Sequence, residues 1–420
     1  MRVLHLNTTD TSGGAARGAY WLHRALRDVG VDSLMMVDKK YSTDSSVFEV
    51  SAGIKRVGRR VRARLDNLPL HYYGVPDESY WSVAWVPHPM EGLVRALHPD
   101  VIHLHWITGG FIPISGLQRL GGPLVWSLRD MWAFTGGCHY SGHCNRFTEA
   151  CGSCPQLDSL DENDLSRSIY TNKREHWHDL DLWAVPISTW LADQARASSI
   201  LGHFPMEVIP NGVDIERFRP LDPVRAKKHF GFAPDRPVVA FGAVNATTDH
   251  RKGFSKYCEA VKRLFQMGWR DRVEFVVFGD TVPESERDED LPMRFIGRVN
   301  DDRELATLYS AADVTVVPSL QEAFGKTVIE SFACATPVVA FRTGGPADIV
   351  DHKRNGYLAK PFDAKSLADG IAWCAADPIR LRDLGREARE KVVLEYDILA
   401  VARRYHDLYR RILRRNHEQT

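Results

Sequence analysis

Short β-branched runs alternate with segments of helical period along the whole chain, and most runs end in polar or glycine-bearing residues. The run Arg2-Val3-Leu4-His5-Leu6-Asn7 predicts a strand, residues 8–14 a loop, and residues 14–30 a helix with Tyr20, Trp21, Ala25, Leu26 and Val29 on one face. A strand at 32–37 completes a βαβ start. Buried strands are predicted at 101–105, ending in His105, and at 124–128, followed by Arg129-Asp130. Then come a strand at 181–188, a helix at 189–200 and a short strand from Met206 into the turn Pro210-Asn211-Gly212. From Pro237 the pattern restarts, with strands at 237–243, 273–279, 293–297, 314–317 and 337–341. Helices are predicted between them at 254–268 and 302–312, from Gly325, and at 346–351, and a last helix at 396–414 is basic at its end. This predicts an α/β protein of two doubly wound domains and excludes a solenoid, since no period of 20–50 residues recurs.

Length supports two domains: 420 residues exceed one ordinary domain, and an apolar fraction of 44% suits soluble cores. The 54 basic and 54 acidic residues cancel, which argues against a surface built for nucleic acid. The chain opens on a strand pattern rather than a charged segment before an apolar core, so no signal peptide is expected. No apolar run approaches the roughly 20 residues of a membrane span. Seven cysteines, with Cys258, Cys334 and Cys374 on apparent buried helical faces, fit a reducing compartment.

Residues 52–64 carry six basic residues and no acid, with Ile54, Val57, Val61 and Leu65 at helical spacing. Such a helix suits an anionic membrane surface, or simply a solvated face. Residues 66–92, rich in aromatics and Pro, predict loops that would line an acceptor cleft. Cys138, Cys144, Cys151 and Cys154 crowd into 17 positions (138–154), and Cys151-Gly-Ser-Cys154 has knuckle spacing for a structural Zn²⁺. His139 and His143 are alternative ligands there, and disulfides or free thiols are alternative fates.

The candidate chemistry centres on residues 314–333. A buried strand leads through Glu322, Phe324, Gly325, Lys326 and Thr327 into a helix that contains Glu330. Amides at a helix start favour phosphate, and Glu322 and Glu330 place a carboxylate on each side of a bound anion. That layout suits a nucleotide-sugar. Lys252, beside Arg251 and Gly253, would neutralise a diphosphate leaving group, though a surface lysine reads the same. Gly13-Gly14 lets backbone approach a ligand, or forms a plain turn. His105 and Asp130 stand at strand ends, where open α/β sheets place ligands.

In motif order over nearly its whole length, the chain resembles the family 4 retaining glycosyltransferases of the GT-B fold. The resemblance rests on Pro318-Ser319 through Glu330-Ser331, with its paired glutamates, on residues 334–340 and on Thr343-Gly344-Gly345. Ile209–Asp214, Arg251-Lys252-Gly253 and Gly13-Gly14-Ala15 also match. Residues 129–140 with the later cysteines resemble the colanic-acid-type exopolysaccharide branch, where many relatives carry His at the position of Arg129. The resemblance implies domains at 1–208 (acceptor side, with the Cys-rich loop 138–154) and 209–395 (donor side), facing across an interdomain cleft. A helix at 396–420 would return to the first domain.

It implies that Glu330 holds the ribose, that Glu322 contacts the donor sugar, and that the amides of residues 324–327 with Lys252 hold the diphosphate. Arg251 and Gly13-Gly14 would assist donor binding. His105 and Asp130 would line the donor-sugar and acceptor side. Catalysis would need no metal. A UDP- or GDP-sugar donor and a lipid-linked or polysaccharide acceptor follow from it, in the cytoplasm, and the basic segment 52–64 would add contact with the inner membrane face. A GT-B epimerase or hydrolase, or a non-catalytic sugar-nucleotide-binding protein, is the alternative. A Rossmann oxidoreductase is disfavoured, since the first loop lacks Gly-x-Gly-x-x-Gly.

Overall fold

β-branched runs too short for helices, flanked by amphipathic helices, bury both faces only as parallel strands. The computed structural model describes all residues except 51–55, 76–79, 281–289 and 420. The first sheet contains β1 (Arg2–Thr9), β2 (Asp32–Lys39), β3 (Val47–Glu49), β4 (Val101–Leu104), β5 (Leu124–Leu128) and β6 (Leu182–Pro186). The second contains β7 (Val238–Gly242), β8 (Glu274–Phe278), β9 (Met293–Gly297), β10 (Val314–Val317), β11 (Val338–Phe341) and β12 (Gly356–Ala359). Their orders are β3-β2-β1-β4-β5-β6 and β12-β11-β10-β7-β8-β9, and every pairing is parallel. Strand order reverses between β1 and β4 and between β7 and β10. Ligands bind outside the carboxyl ends at such switch points.

The chain divides into two units, one of Met1–Pro210 with Val401–Thr420 and one of Asn211–Ala400. The second core packs Val239, Phe241, Val277, Val314, Val316 and Val339 of the sheet against Tyr257 and Leu264 of helix Phe254–Gln266. Leu367 and Ile371 of helix Ala364–Ala375 join the same core. In the first unit, helix Ile398–Gln419 contributes buried Tyr405 and Tyr409, whose hydroxyls lie 2.7 Å from Ser127 Oγ and 2.7 Å from His103 Nδ1. No helix among the described residues is long and apolar enough to cross a membrane.

Two local expectations are corrected. The segment after Met206 is not a strand: Glu207 and Ile209 donate to the carbonyls of Ala184 and Pro186 at 3.1 and 3.2 Å, but Pro210 has no N–H to continue the ladder. Residues 66–92 are not all loop, because helix Arg56–His71 runs into them with Pro69 inside and helix Glu91–Ala96 closes them. Of residues 52–64, 52–55 lie outside the described residues. Arg59 and Arg62 of that helix point inward: Arg59 pairs with Glu49 at 3.2 Å, and Arg62 pairs with buried Asp38 and donates to Gly110 O at 2.6 Å. Val61, Leu65 and Leu68 instead face outward, 48%, 41% and 54% exposed. A buried carboxylate needs a cation, and that demand sets the helix's rotation against its apolar period.

Candidate functional site

In the second unit three sequence-distant loops meet backbone to backbone. Gly253, at φ +73°, lies where a Cβ would stand 1.9 Å from Pro318 O, and Leu320 N donates to Arg251 O at 2.8 Å. Gly344 meets the same segment from the other side: a Cβ would stand 2.4 Å from Glu322 O, and Gly345 N donates to that oxygen at 2.9 Å. Only glycines permit these approaches. They bring Lys252 Nζ to 2.7 Å from Glu322 Oε2.

Gly325 (φ +95°) then starts helix Lys326–Ala333, where Val328 N donates to Gly325 O at 2.9 Å and the Thr327 amide finds no acceptor inside the helix. Phe324, just before it, is buried. Burial alone would raise the Glu322 carboxyl. The Lys252 ammonium and its hydrogen bond, helped by Arg251, hold it below its ordinary value. Glu330, 5% exposed, lies one turn into the helix, with Lys326 Nζ 3.1 Å from Oε1 and the Tyr309 hydroxyl donating to Oε2 at 3.2 Å. Burial and the Glu330 charge keep the Tyr309 phenol far above its usual pKa, so it remains a donor. Arg251 is turned to Asp249, at 2.7 Å.

In the first unit the ends of β1, β4 and β5 gather His5, His103, His105, Arg129 and Asp130. His105, Trp106, Thr108, Arg129, Asp130 and Trp132 line one pocket. Asp130 Oδ2 accepts from His139 Nδ1 at 2.7 Å and from Trp106 Nε1 at 3.1 Å, while Oδ1 accepts from Trp132 N at 2.9 Å. Burial would lift this carboxyl, but His139 and the other donors hold it below its ordinary value, so it stays an acceptor. His139 Nε2 in turn lies 2.9 Å from Ser82 Oγ. Both ring nitrogens are thereby engaged, which removes His139 as a metal ligand.

His105 is buried, with Nε2 2.8 Å from His5 Nδ1 and Nδ1 3.2 Å from Arg129. Burial, with the neighbouring histidines and Arg129, depresses His5 and His105 well below 6.5, and burial with Arg129 does the same to His103. Burial also pulls Arg129 down to about 10. Gly13 (φ +90°) and Gly14 open helix Gly14–Asp28, and a Cβ on either would meet nothing within 4 Å.

Among the described residues, one group of three potential metal ligands has all its ligand atoms within 4.8 Å: His5, His103 and His105. Those nitrogens already bond one another, Tyr409, Ser127 and Arg129, except His5 Nε2, which is buried with no hydrogen-bond partner. Cys138, Cys144, Cys151 and Cys154 are free and line a second pocket together. His143 is exposed and does not line it.

The sequence signals thus meet as follows. Lys252, Glu322, the helix start and Glu330 come together, while His105 and Asp130 share a pocket in the first unit. Sequence reasoning missed Tyr309, whose hydroxyl comes from the helix before β10, and Ser82, which no local pattern marks. His139 was legible only as a metal ligand, since its histidine-to-carboxylate contact spans the Cys-rich loop.

Residues 228–391 match the family described as "Glycosyl transferases group 1". The D-inositol 3-phosphate glycosyltransferase 2 of Catenulispora acidiphila is 30% identical over 311 residues, covering 69% of this chain and 66% of that protein. The matched region therefore spans just under two thirds of that relative's length. Among solved structures, sucrose-phosphate synthase from Thermosynechococcus elongatus superposes with a TM-score of 0.68 at 20% identity, covering 98% of each chain. Anabaena HepE, crystallised with UDP-glucose, gives a TM-score of 0.64 at 17% identity, covering 97% of this chain and 99% of that one.

Proposed function

We propose that this chain, which has the GT-B fold and whose residues 228–391 match the group 1 glycosyltransferases, is a retaining transferase of that family. Its donor is a nucleotide-diphospho-sugar, with UDP or GDP as the nucleotide. Its acceptor is a lipid-linked or growing polysaccharide, in bacterial cell-surface polysaccharide synthesis. The observation that carries this reading is the 2.7 Å Lys252–Glu322 pair beside the first turn of helix Lys326–Ala333, with Glu330 buried one turn further on.

The first-turn amides and Lys252 take the diphosphate. Glu330, fixed by Lys326 and Tyr309, accepts hydrogen bonds from ribose hydroxyls, and Glu322 from donor-sugar hydroxyls. In the transfer step the bond from C1 to the diphosphate oxygen breaks. The acceptor hydroxyl oxygen bonds C1 on the same face, and its proton passes to the departing phosphate oxygen. Lys252 stabilises the charge that grows on that oxygen, so the step needs neither a protein base nor a divalent ion. Asp130, oriented by His139 and Trp106, serves the sugar side of the first-unit pocket, with His105 beneath it.

Two outward faces extend the proposal. Val61, Leu65, Leu68 and Tyr72 form an exposed stripe on helix Arg56–His71 and the turn after it, with Arg60 and Arg64 exposed beside it. An anionic membrane matches both chemistries, which supports the proposal that the enzyme works at the cytoplasmic face of the inner membrane. Sedimentation with anionic vesicles tests this; equal binding to neutral vesicles rejects it. The name of the Catenulispora relative motivates a second reading of the acceptor, a phosphorylated polyol.

Calorimetric titration with UDP, GDP and other nucleoside diphosphates, followed by transfer assays from the matching donors, tests the main reading. Anomeric retention in the product, read by NMR, is expected. Full donor turnover without any acceptor would favour a hydrolase or epimerase, and tight binding without transfer to lipid-linked, glycan or polyol-phosphate acceptors would favour a binding protein.

A further inference from the structure

We propose that Cys138, Cys144, Cys151 and Cys154 hold a structural Zn²⁺ as a tetrathiolate, and that this metal fixes the loop carrying Asp130 and His139. Between β5 and helix Leu165–Trp177 the chain forms no sheet strand and no α-helix, only short 3-10 turns. Such a long irregular stretch needs another source of rigidity. All four cysteines line one pocket, although five, six and two residues separate them in sequence, and no three of their sulfurs all lie within 4.8 Å of one another.

The surrounding charge fits as well. Four thiolates on Zn²⁺ leave a net charge of −2, and loading releases four protons to solvent with no change of oxidation state. Lys173 is fully buried beneath the same loop, donates to the carbonyls of Trp132 and Thr135, and has its ammonium 3.7 Å from the centre of the Trp132 ring. Arg167 Nε donates to Cys151 O at 3.0 Å. Two cations at a buried cysteine cluster complement a dianionic centre.

The ligand set is all sulfur, because His139 is committed to Asp130 and Ser82 and no histidine lines the pocket. The His5–His103–His105 group is not the metal site: His5 Nδ1 and His105 Nε2 bond each other at 2.8 Å, and Arg129 lies against His105. Zinc–sulfur bonds of about 2.3 Å put tetrahedral sulfurs roughly 3.8 Å apart, so loading draws the four thiols inward from the pocket walls they line.

The test uses the full chain purified under reducing conditions without chelator. Elemental analysis should find about one zinc per chain, released by a mercurial as four thiols are titrated. C151S and C154S should each lower the zinc content at least tenfold, while H5Q leaves it unchanged. Should the cysteine variants fail to fold, Co²⁺ loaded into the wild-type chain should show the thiolate-to-cobalt charge-transfer bands of a tetrathiolate. Zinc-free protein with four freely reactive thiols, disulfides found by mass spectrometry after alkylation, or zinc that follows H5Q would each overturn the proposal.

Discussion

Lys252 and Glu322 stand 70 residues apart in sequence and 2.7 Å apart in space, and each makes the other's burial tolerable. Removing the lysine leaves a buried carboxylate without its main partner and a diphosphate without its counter-charge. Lys252→Ala should lower transfer by about 10²–10³ in kcat, as losing one transition-state donor does. Wild-type turnover would exclude the leaving-group role. Glu330→Ala should weaken nucleotide binding in calorimetry, because its acceptor oxygens are lost while Lys326 and Tyr309 remain; unchanged affinity would count against the ribose contact. Gly253→Ala puts a methyl 1.9 Å from Pro318 O at φ +73°. The loop must shift, so thermal unfolding should fall by several degrees and donor binding with it. A variant as stable and as tight-binding as the parent would mean the two loops are not locked together.

At the scale of elements, β1, β4 and the residue that follows Leu104 carry three buried histidines, and the C-terminal helix adds Tyr405 and Tyr409 beside them. Burial keeps His5, His103 and His105 neutral, well below 6.5 in the folded chain. The unfolded chain binds those protons once pH falls below about 6.5, so stability is complete above that pH and declines beneath it. The limiting slope is about 1.4 kcal/mol per pH unit for each histidine that stays neutral. Thermal scans at pH 7.5 and 5.5 should therefore show a clear loss at the lower pH, and H103Q should reduce that loss. A midpoint that does not move between the two would show that the histidines take up no net protons on unfolding. Burial of charge also sets how elements are turned. The helix Arg56–His71 has an apolar period, yet its rotation is set by Asp38, a single buried carboxylate on β2 that draws Arg62 inward.

On the scale of the whole molecule, two parallel six-stranded sheets form units with separate cores, and the proposed donor group of Lys252, Glu322 and Glu330 lies within Asn211–Ala400. That unit expressed alone should fold and bind the nucleoside diphosphate the full chain prefers. Loss of binding in a folded unit would mean that the first unit completes the donor site. The first unit, by contrast, is discontinuous. It takes Val401–Thr420 from the far end of the chain, with Arg411 paired to Glu207 and Arg404 donating to Val208 O at 2.7 Å.

Sequence alone determined the alternation of strand and helix, the two doubly wound units and the phosphate-ready helix start. Each rests on local periodicity or on a glycine that local geometry demands. The pairing of Glu322 with Glu330 around Gly325 was readable because both lie within one loop and one helical turn or two. Tertiary structure decided everything that depends on distant partners. Lys252 reaches Glu322 only because Gly253 lets one backbone press on another, and Tyr309 reaches Glu330 across a packed core. Asp130 is oriented by His139 and Trp106 from two different loops, and the histidines of β1 and β4 stay neutral because other elements bury them. Periodicity reports which side of an element is apolar. Which charges must be neutralised inside, and by whom, is set by what the fold brings within about 3 Å, where hydrogen bonds form.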